Sequence, residues 1–139
     1  MSISSAVPAT ARRLAVPAAA LTGTLAAFAY VGAVDPNRPG HYPACPVLAL
    51  TGIYCPGCGG LRSAHAFAHG DLATAVSSNV LAVAAFAVAA YVLVTWFVRA
   101  ARGRPLTLPS GRVGGWSVIA VLAVFMVVRN LPFGAALAP

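Results

Sequence analysis

The sequence of 139 residues is short of charged side chains. It contains no lysine and no glutamate, and only 8% of its residues are charged, nine arginines and two aspartates. A water-soluble domain carries roughly 25% charged residues, so this chain has too few to cover a soluble surface. Because 60% of the residues are hydrophobic and the mean hydropathy is +0.85, the composition indicates a membrane protein.

Three stretches without any charge hold most of the apolar residues. They run from Leu14 to Val34, Leu72 to Val98 and Val113 to Val128, and are 21, 27 and 16 residues long. The first two can cross a ~30 Å hydrocarbon layer at about 1.5 Å per residue, and the third reaches only ~24 Å without its flanks. We predict an all-α integral membrane domain over residues 1–139. Its three transmembrane helices lie at about 14–34, 79–98 and 113–131, with an outward cysteine loop and a short interfacial helix within 35–78. We expect this interfacial helix to run from Gly60 to about Ser77.

The first stretch is also compatible with a secretory signal. Arg12 and Arg13 precede it, and Ala27-Phe28-Ala29 has the small-x-small form of a cleavage site. The apolar run continues through this site to Val34, which favours an uncleaved span. Both interpretations keep the amino terminus in the cytoplasm.

The arginines predict the orientation of the spans. The segment from Asp35 to Ser78 balances two arginines against two aspartates, so by the positive-inside rule it faces outward. We therefore expect a multi-pass protein of the plasma membrane with a cytoplasmic amino terminus and an extracytoplasmic cysteine loop. The six arginines on the other side are Arg12, Arg13, Arg99, Arg102, Arg104 and Arg112.

Several features of other protein classes are missing from the sequence. The arginines flank apolar spans and are not interleaved with aromatic residues, which argues against nucleic-acid binding. There is no internal repeat, coiled-coil heptad pattern or phosphate-binding glycine loop.

The expected partners are the lipid bilayer and another membrane protein or a second copy of the chain.

All three cysteines fall in the outward segment, as Cys45-Pro46 and Cys55-Pro56-Gly57-Cys58-Gly59. Two thiols separated by Pro and Gly can close a small disulfide or hold one metal ion between them. In an oxidising compartment the simplest interpretation is a structural disulfide with one thiol left over.

A zinc site is the second interpretation, and it needs four tetrahedral ligands. Cys45, Cys55 and Cys58 supply three, and His41 lies in a loop that allows it to be the fourth. A helix that begins near Cys58 would place His65 about 10 Å away along its axis, too far to share an ion. His65 and His69, at i and i+4, are more typical of a polar stripe at the membrane interface than of a separate site.

The third interpretation is a membrane thiol oxidoreductase that uses Cys55 and Cys58. Cys58 would lie at the amino end of a helix, where the helix dipole and Arg62 lower a thiol pKa. The segment has no alternating strand for a thioredoxin-type scaffold and no fourth cysteine for a second relay pair. Catalysis is therefore a less favoured alternative, and three free structural thiols are the remaining one.

The motifs together resemble a bacterial membrane family, the domain of unknown function 2752. The resemblance implies a small multi-span membrane protein with no assigned activity, although Leu61 stands where a Thr is frequent and Val80 where a Pro is frequent. It covers Asp35 to Pro132 and includes Cys45-Pro46, Thr51-Gly52, Cys55-Pro56-Gly57-Cys58-Gly59-Gly60, Arg62, Gly70-Asp71, Asn79 and Arg129-Asn130-Leu131-Pro132.

The resemblance draws attention to Arg129, which the predicted topology places on the same side of the membrane as Asp71 and the cysteines. We expect Arg129 to lie at the outer interface close to Asp71, as a membrane anchor, in an ion pair with Asp71, or as a cation that binds an anionic group beside the cysteine loop. Because little of the chain lies outside the spans, we expect the protein to be a small accessory or scaffold subunit rather than an enzyme.

Overall fold

The computed structural model describes residues 9–107 and 111–139, and these residues form helices without any strand. Three of the helices are long and apolar enough to cross a membrane, which confirms the predicted all-α membrane fold. The elements are α1 (Ala9–Ala33), α2 (Pro46–Thr51), α3 (Gly60–Ala68), α4 (Leu72–Ala101), α5 (Arg112–Arg129) and a 3-10 helix (Pro132–Leu137).

Helix α4 consists of two helical parts joined at Asn79, whose φ of −167° and ψ of 97° are not helical. The side-chain oxygen of Asn79 accepts a hydrogen bond from the backbone N–H of Ala82 at 2.9 Å, which is the geometry of a helix N-cap. The second and longer helical part of α4 therefore begins at Asn79 and extends about 34 Å to Ala101.

The predicted interfacial helix is shorter than expected because the chain turns before α4. Helix α3 ends at Ala68, and Gly70 follows with a φ of +77° in the left-handed region. Asp71 then caps α4 by accepting a hydrogen bond from the Thr74 N–H at 3.0 Å. Residues 72–78 consequently belong to α4 and not to the helix that starts at Gly60.

The sequence interpretation missed two short helices. Helix α2 has proline at its first position and Gly52, with a φ of +71°, directly after its end. Proline is frequent at the first position of a helix and glycine directly after its end, so the sequence did contain a signal for α2. The 3-10 helix likewise begins with Pro132.

Helices α1, α3 and α4 pack together through an aromatic cluster of one phenylalanine from each helix. The ring centroids of Phe28 and Phe86 lie 5.1 Å apart edge to face, and Phe67 lies 6.1 Å and 5.6 Å from them. Most other apolar side chains of the long helices are exposed, as expected where lipid rather than protein is the neighbour.

The two ends of the helix bundle differ in charge. The segment between α4 and α5, of which 108–110 lie outside the described residues, belongs to the end that carries six arginines. Arg13 of α1 reaches this segment, since its guanidinium lies 2.8 Å from where a Cβ on Gly103 would be. The cysteines lie at the opposite end, in the connection between α1 and α4.

Candidate functional site

The three cysteine thiols form one cluster. The Sγ atoms of Cys45 and Cys55 are 3.4 Å apart, those of Cys55 and Cys58 are 2.8 Å apart, and all three lie within 4.8 Å of one another. All three are free thiols, with Cys45 and Cys55 half-buried and Cys58 buried. Tetrahedral zinc with thiolate bonds of about 2.3 Å separates its sulfur ligands by about 3.8 Å, so small adjustments would let one ion bind all three.

The start of α2 and a tight turn bring the three cysteines close together. Cys45 is the residue that precedes α2. Cys55 and Cys58 are joined by a tight turn in which the Cys58 N–H donates to the Cys55 carbonyl at 3.1 Å. The Cys55 N–H points back to the Cys58 sulfur at 3.2 Å, an arrangement that stabilises a thiolate or a metal-bound sulfur.

The environments of two of these thiols shift their pKa values in opposite directions. The Leu48 N–H at the start of α2 and hydrogen bonds with the two other thiols lower the pKa of Cys45 to about 7. Burial, followed by hydrogen bonds with the same thiols, raises the pKa of Cys58 to about 12. Cys58 is buried just ahead of α3, which begins at Gly60, and this position does not favour it as the activated thiol of the redox interpretation, which stays a prediction.

Asn79 holds the cysteine turn from the side of α4. Its side-chain nitrogen donates to the carbonyls of Pro56 at 2.9 Å and Cys58 at 3.0 Å, and only 1% of the residue is exposed. The Ser63 hydroxyl donates to the Asn79 carbonyl at 3.4 Å and ties α3 to the same point. One side chain thus caps the apolar part of α4 and fixes the position of the turn.

Arg129 holds the turn from the side of α5. Its guanidinium donates to the carbonyls of Cys55 at 2.8 Å, Cys58 at 3.1 Å and Leu137 at 2.9 Å. The guanidinium also lies over the rings of Phe125 and Tyr54, at 4.9 and 5.7 Å from their centroids. Within residues 9–107 and 111–139 this buried cation has no carboxylate partner.

The predicted ion pair between Arg129 and Asp71 is wrong. The two terminal nitrogens of Arg129 donate to three carbonyls. The Asp71 carboxylate accepts from Thr74 as the cap of α4, which lowers the pKa of Asp71. Arg129 is only 1% exposed, so it does not act as a membrane anchor at the interface either. It is instead part of the support of the cysteine cluster.

Asn130 completes this support by pairing with the backbone of Tyr54. Its side chain accepts a hydrogen bond from the Tyr54 N–H and donates to the Tyr54 carbonyl, both at 2.8 Å. A second bond of its amide nitrogen reaches the Met126 carbonyl at 2.7 Å and fixes the side chain on α5. The end of α5 is therefore joined to the residue that precedes Cys55.

The histidines lie outside the cluster. His41 is exposed, and its ring is not among the ligand atoms that lie within 4.8 Å of one another. His65 forms a 2.8 Å hydrogen bond with the Val31 carbonyl and so connects α3 to α1. The His69 ring packs against the His65 ring with centroids 4.4 Å apart and planes tilted by 43°, and its Nδ1 forms a hydrogen bond with the His65 carbonyl. The role of His41 as a fourth ligand stays a prediction, which this arrangement does not favour.

The cluster opens into a cleft of about 590 Å³. All three cysteines line this cleft, together with Tyr42, Tyr54 and the first turn of α3. Arg62 is the charged side chain among its lining residues. An ion bound by the three sulfurs would therefore face a space large enough for a small molecule.

Residues 45–93 match the model of a family described as a protein of unknown function, DUF2752. This match confirms the resemblance over a segment that contains the three cysteines, Arg62, Asp71 and Asn79, and it ends before Arg129 and Asn130. No curated protein and no solved structure matches the chain.

Proposed function

We propose that this protein is a metal-binding module of the membrane, in which Cys45, Cys55 and Cys58 hold a thiophilic divalent ion such as zinc. The observation that carries the proposal is the convergence of three sulfur atoms within 4.8 Å. Thiolates are preferred ligands of zinc, and two of these three come from a turn whose backbone is already fixed by Asn79 and Arg129.

Charge balance supports the same function. Three thiolates and one divalent ion carry one negative charge in total, which is costly to bury without a compensating cation. The Arg129 guanidinium lies directly behind the turn, bonded to the carbonyls of Cys55 and Cys58. A metal-bound cluster would therefore neutralise this buried arginine, for which the described residues offer no carboxylate.

The bound ion would keep the connection between α1 and α4 in one conformation. This connection offers little polypeptide for a complete active site, which supports an accessory or scaffold role beside another membrane protein or a second copy. We place the protein in the plasma membrane.

Metal content provides the direct test of the proposal. Protein purified in detergent without chelators should contain about one zinc equivalent per chain, measured by inductively coupled plasma mass spectrometry. Cys45→Ser, Cys55→Ser and Cys58→Ser should each lose most of it, because two sulfur ligands hold zinc much more weakly than three. His41→Ala is the matched control and should keep the ion, since His41 lies outside the cluster.

The oxidation state of the thiols separates a metal site from a structural disulfide and from a thiol oxidoreductase. Metal-free protein with a Cys55–Cys58 disulfide and one reactive thiol would contradict the proposal and support a structural or redox-active disulfide. If Cys55→Ser and Cys58→Ser then abolished thiol turnover while Cys45→Ser did not, the protein would be an oxidoreductase. Zinc together with three thiols that react after denaturation and chelation would support the proposed site.

The sidedness of the loop is a second part of the proposal, supported by the six arginines at the other end of the bundle. After treatment of intact cells with an impermeant phosphine and a chelator, an impermeant maleimide should label the native cysteines. A cysteine introduced by Ala101→Cys, at the arginine-rich end of α4, should react only after lysis. Labelling of the native cysteines only after lysis would reverse the orientation.

A further inference from the structure

We infer that the fourth coordination position of the ion is filled from outside this chain, by a small organic anion that enters the cleft and pairs with Arg62. This inference rests on the metal site proposed above and assigns its ligand.

The chain itself offers no obvious fourth ligand. Across the described ranges, 9–107 and 111–139, no histidine, aspartate, glutamate or further cysteine places a ligand atom with the three sulfurs. The cleft is lined by backbone, proline, aliphatic and tyrosine side chains besides the cysteines and Arg62. A metal site with three protein ligands and an accessible fourth position is the arrangement that binds water or an exogenous ligand.

The shape of the cleft favours an organic molecule over a simple inorganic ion. Its volume of about 590 Å³ is far greater than a halide or a water molecule requires, and it falls in the range of small-molecule sites. Tyr42, Tyr54 and Leu48 provide aromatic and apolar walls. All three cysteines line the same cavity, so an ion bound to them is reached through it.

The charges at the cleft favour an anion. Arg62 lines the cleft, and so does the first turn of α3. The first helical hydrogen bond runs from the Ser63 N–H to the Gly59 carbonyl, so backbone N–H groups ahead of Ser63 have no partner within the helix and favour an anion. The metal-bound cluster carries one negative charge, which Arg129 balances from behind. The carboxylate of a ligand in the cleft would then be balanced by Arg62.

Cobalt(II) provides a spectroscopic probe of the fourth position. Detergent-purified protein loaded with Co²⁺ should bind mercaptoacetate, with a change in the visible d–d bands as its thiol sulfur replaces a water ligand and releases the thiol proton to the buffer. 2-Mercaptoethanol has the same donor atom without the carboxylate and should bind more weakly. Arg62→Gln should weaken mercaptoacetate binding about two- to fivefold and leave 2-mercaptoethanol binding unchanged.

Arg38→Gln is the matched control for this experiment. Arg38 is an exposed arginine of the same connection, it lies near Asp35 with an N–O distance of 3.9 Å, and it is not among the residues that line the cleft. Mercaptoacetate binding should therefore be the same in Arg38→Gln as in the unaltered protein. An equal loss in both arginine variants would overturn the assignment of Arg62.

The outcomes separate this inference from the metal site. If the protein binds no Co²⁺, the proposed function fails. If it binds one Co²⁺ through three cysteines but neither thiol changes the spectrum, the metal site stands and the exogenous ligand is refuted. X-ray absorption without added thiol should show three sulfur ligands and one light atom, and a histidine ring in the fourth position would also refute the inference.

Discussion

Replacing Arg129 by methionine should cost at least about 3 kcal/mol of stability, because three hydrogen bonds from a charged donor are lost together. The carbonyls of Cys55, Cys58 and Leu137 would lose this donor at a buried position. Methionine keeps a long apolar side chain against Phe125, so the lost hydrogen bonds dominate the effect. Thermal unfolding in detergent and the amount of protein that accumulates in membranes measure it.

Arg112→Met provides the control for this prediction, since Arg112 is an exposed arginine at the other end of the same helix. Its loss should leave the unfolding temperature nearly unchanged. Arg129→Lys should fall between the two, because an ammonium group keeps the charge but cannot reproduce the fork of guanidinium donors. Equal stability of Arg129→Met and Arg112→Met would show that the buried guanidinium is not a structural support.

Gly59→Ala should destabilise the protein by roughly 2 to 4 kcal/mol, through backbone strain and overlap at the same position. Gly59 has a backbone φ of +82°, which residues with a Cβ rarely adopt. A Cβ at this residue would overlap the Ser78 carbonyl oxygen, so the turn after Cys58 would have to move away from α4. We expect a lower unfolding temperature and, because Cys58 moves as well, reduced zinc content.

The neighbouring variant Gly60→Ala isolates the cause of this effect. A Cβ on Gly60 meets nothing within 4 Å, and the residue is the first of α3, where alanine is a good helix former. This variant should be as stable as the unaltered protein and should bind the same amount of zinc. If the two variants behaved alike, close packing of Gly59 against α4 would not be needed for the cluster.

Much of the site could be recognised in the sequence only as unconnected motifs. The cysteines, Asn79 and the Arg129-Asn130 pair all stood out, yet their purpose depended on which backbone groups they reach. Asn79 donates to carbonyls 21 and 23 residues away, and Arg129 to carbonyls 71 and 74 residues away. Hydrophobic periodicity carries no information about such pairings, so Asp71 was a reasonable but wrong partner for Arg129.

The sequence by itself determined the three membrane-spanning helices and the segment that contains the cysteines, because span length and apolar composition are local properties of the chain. The sequence also indicated a helix start at Asn79, where the structure has a break within α4. Tertiary structure alone decided that three thiols meet and that Arg129 faces carbonyls instead of a carboxylate. The reason is that α4 and α5 both approach the turn that contains Cys55 and Cys58. The buried carbonyls of this turn need hydrogen-bond donors, and the donors that reach them lie far away in the sequence.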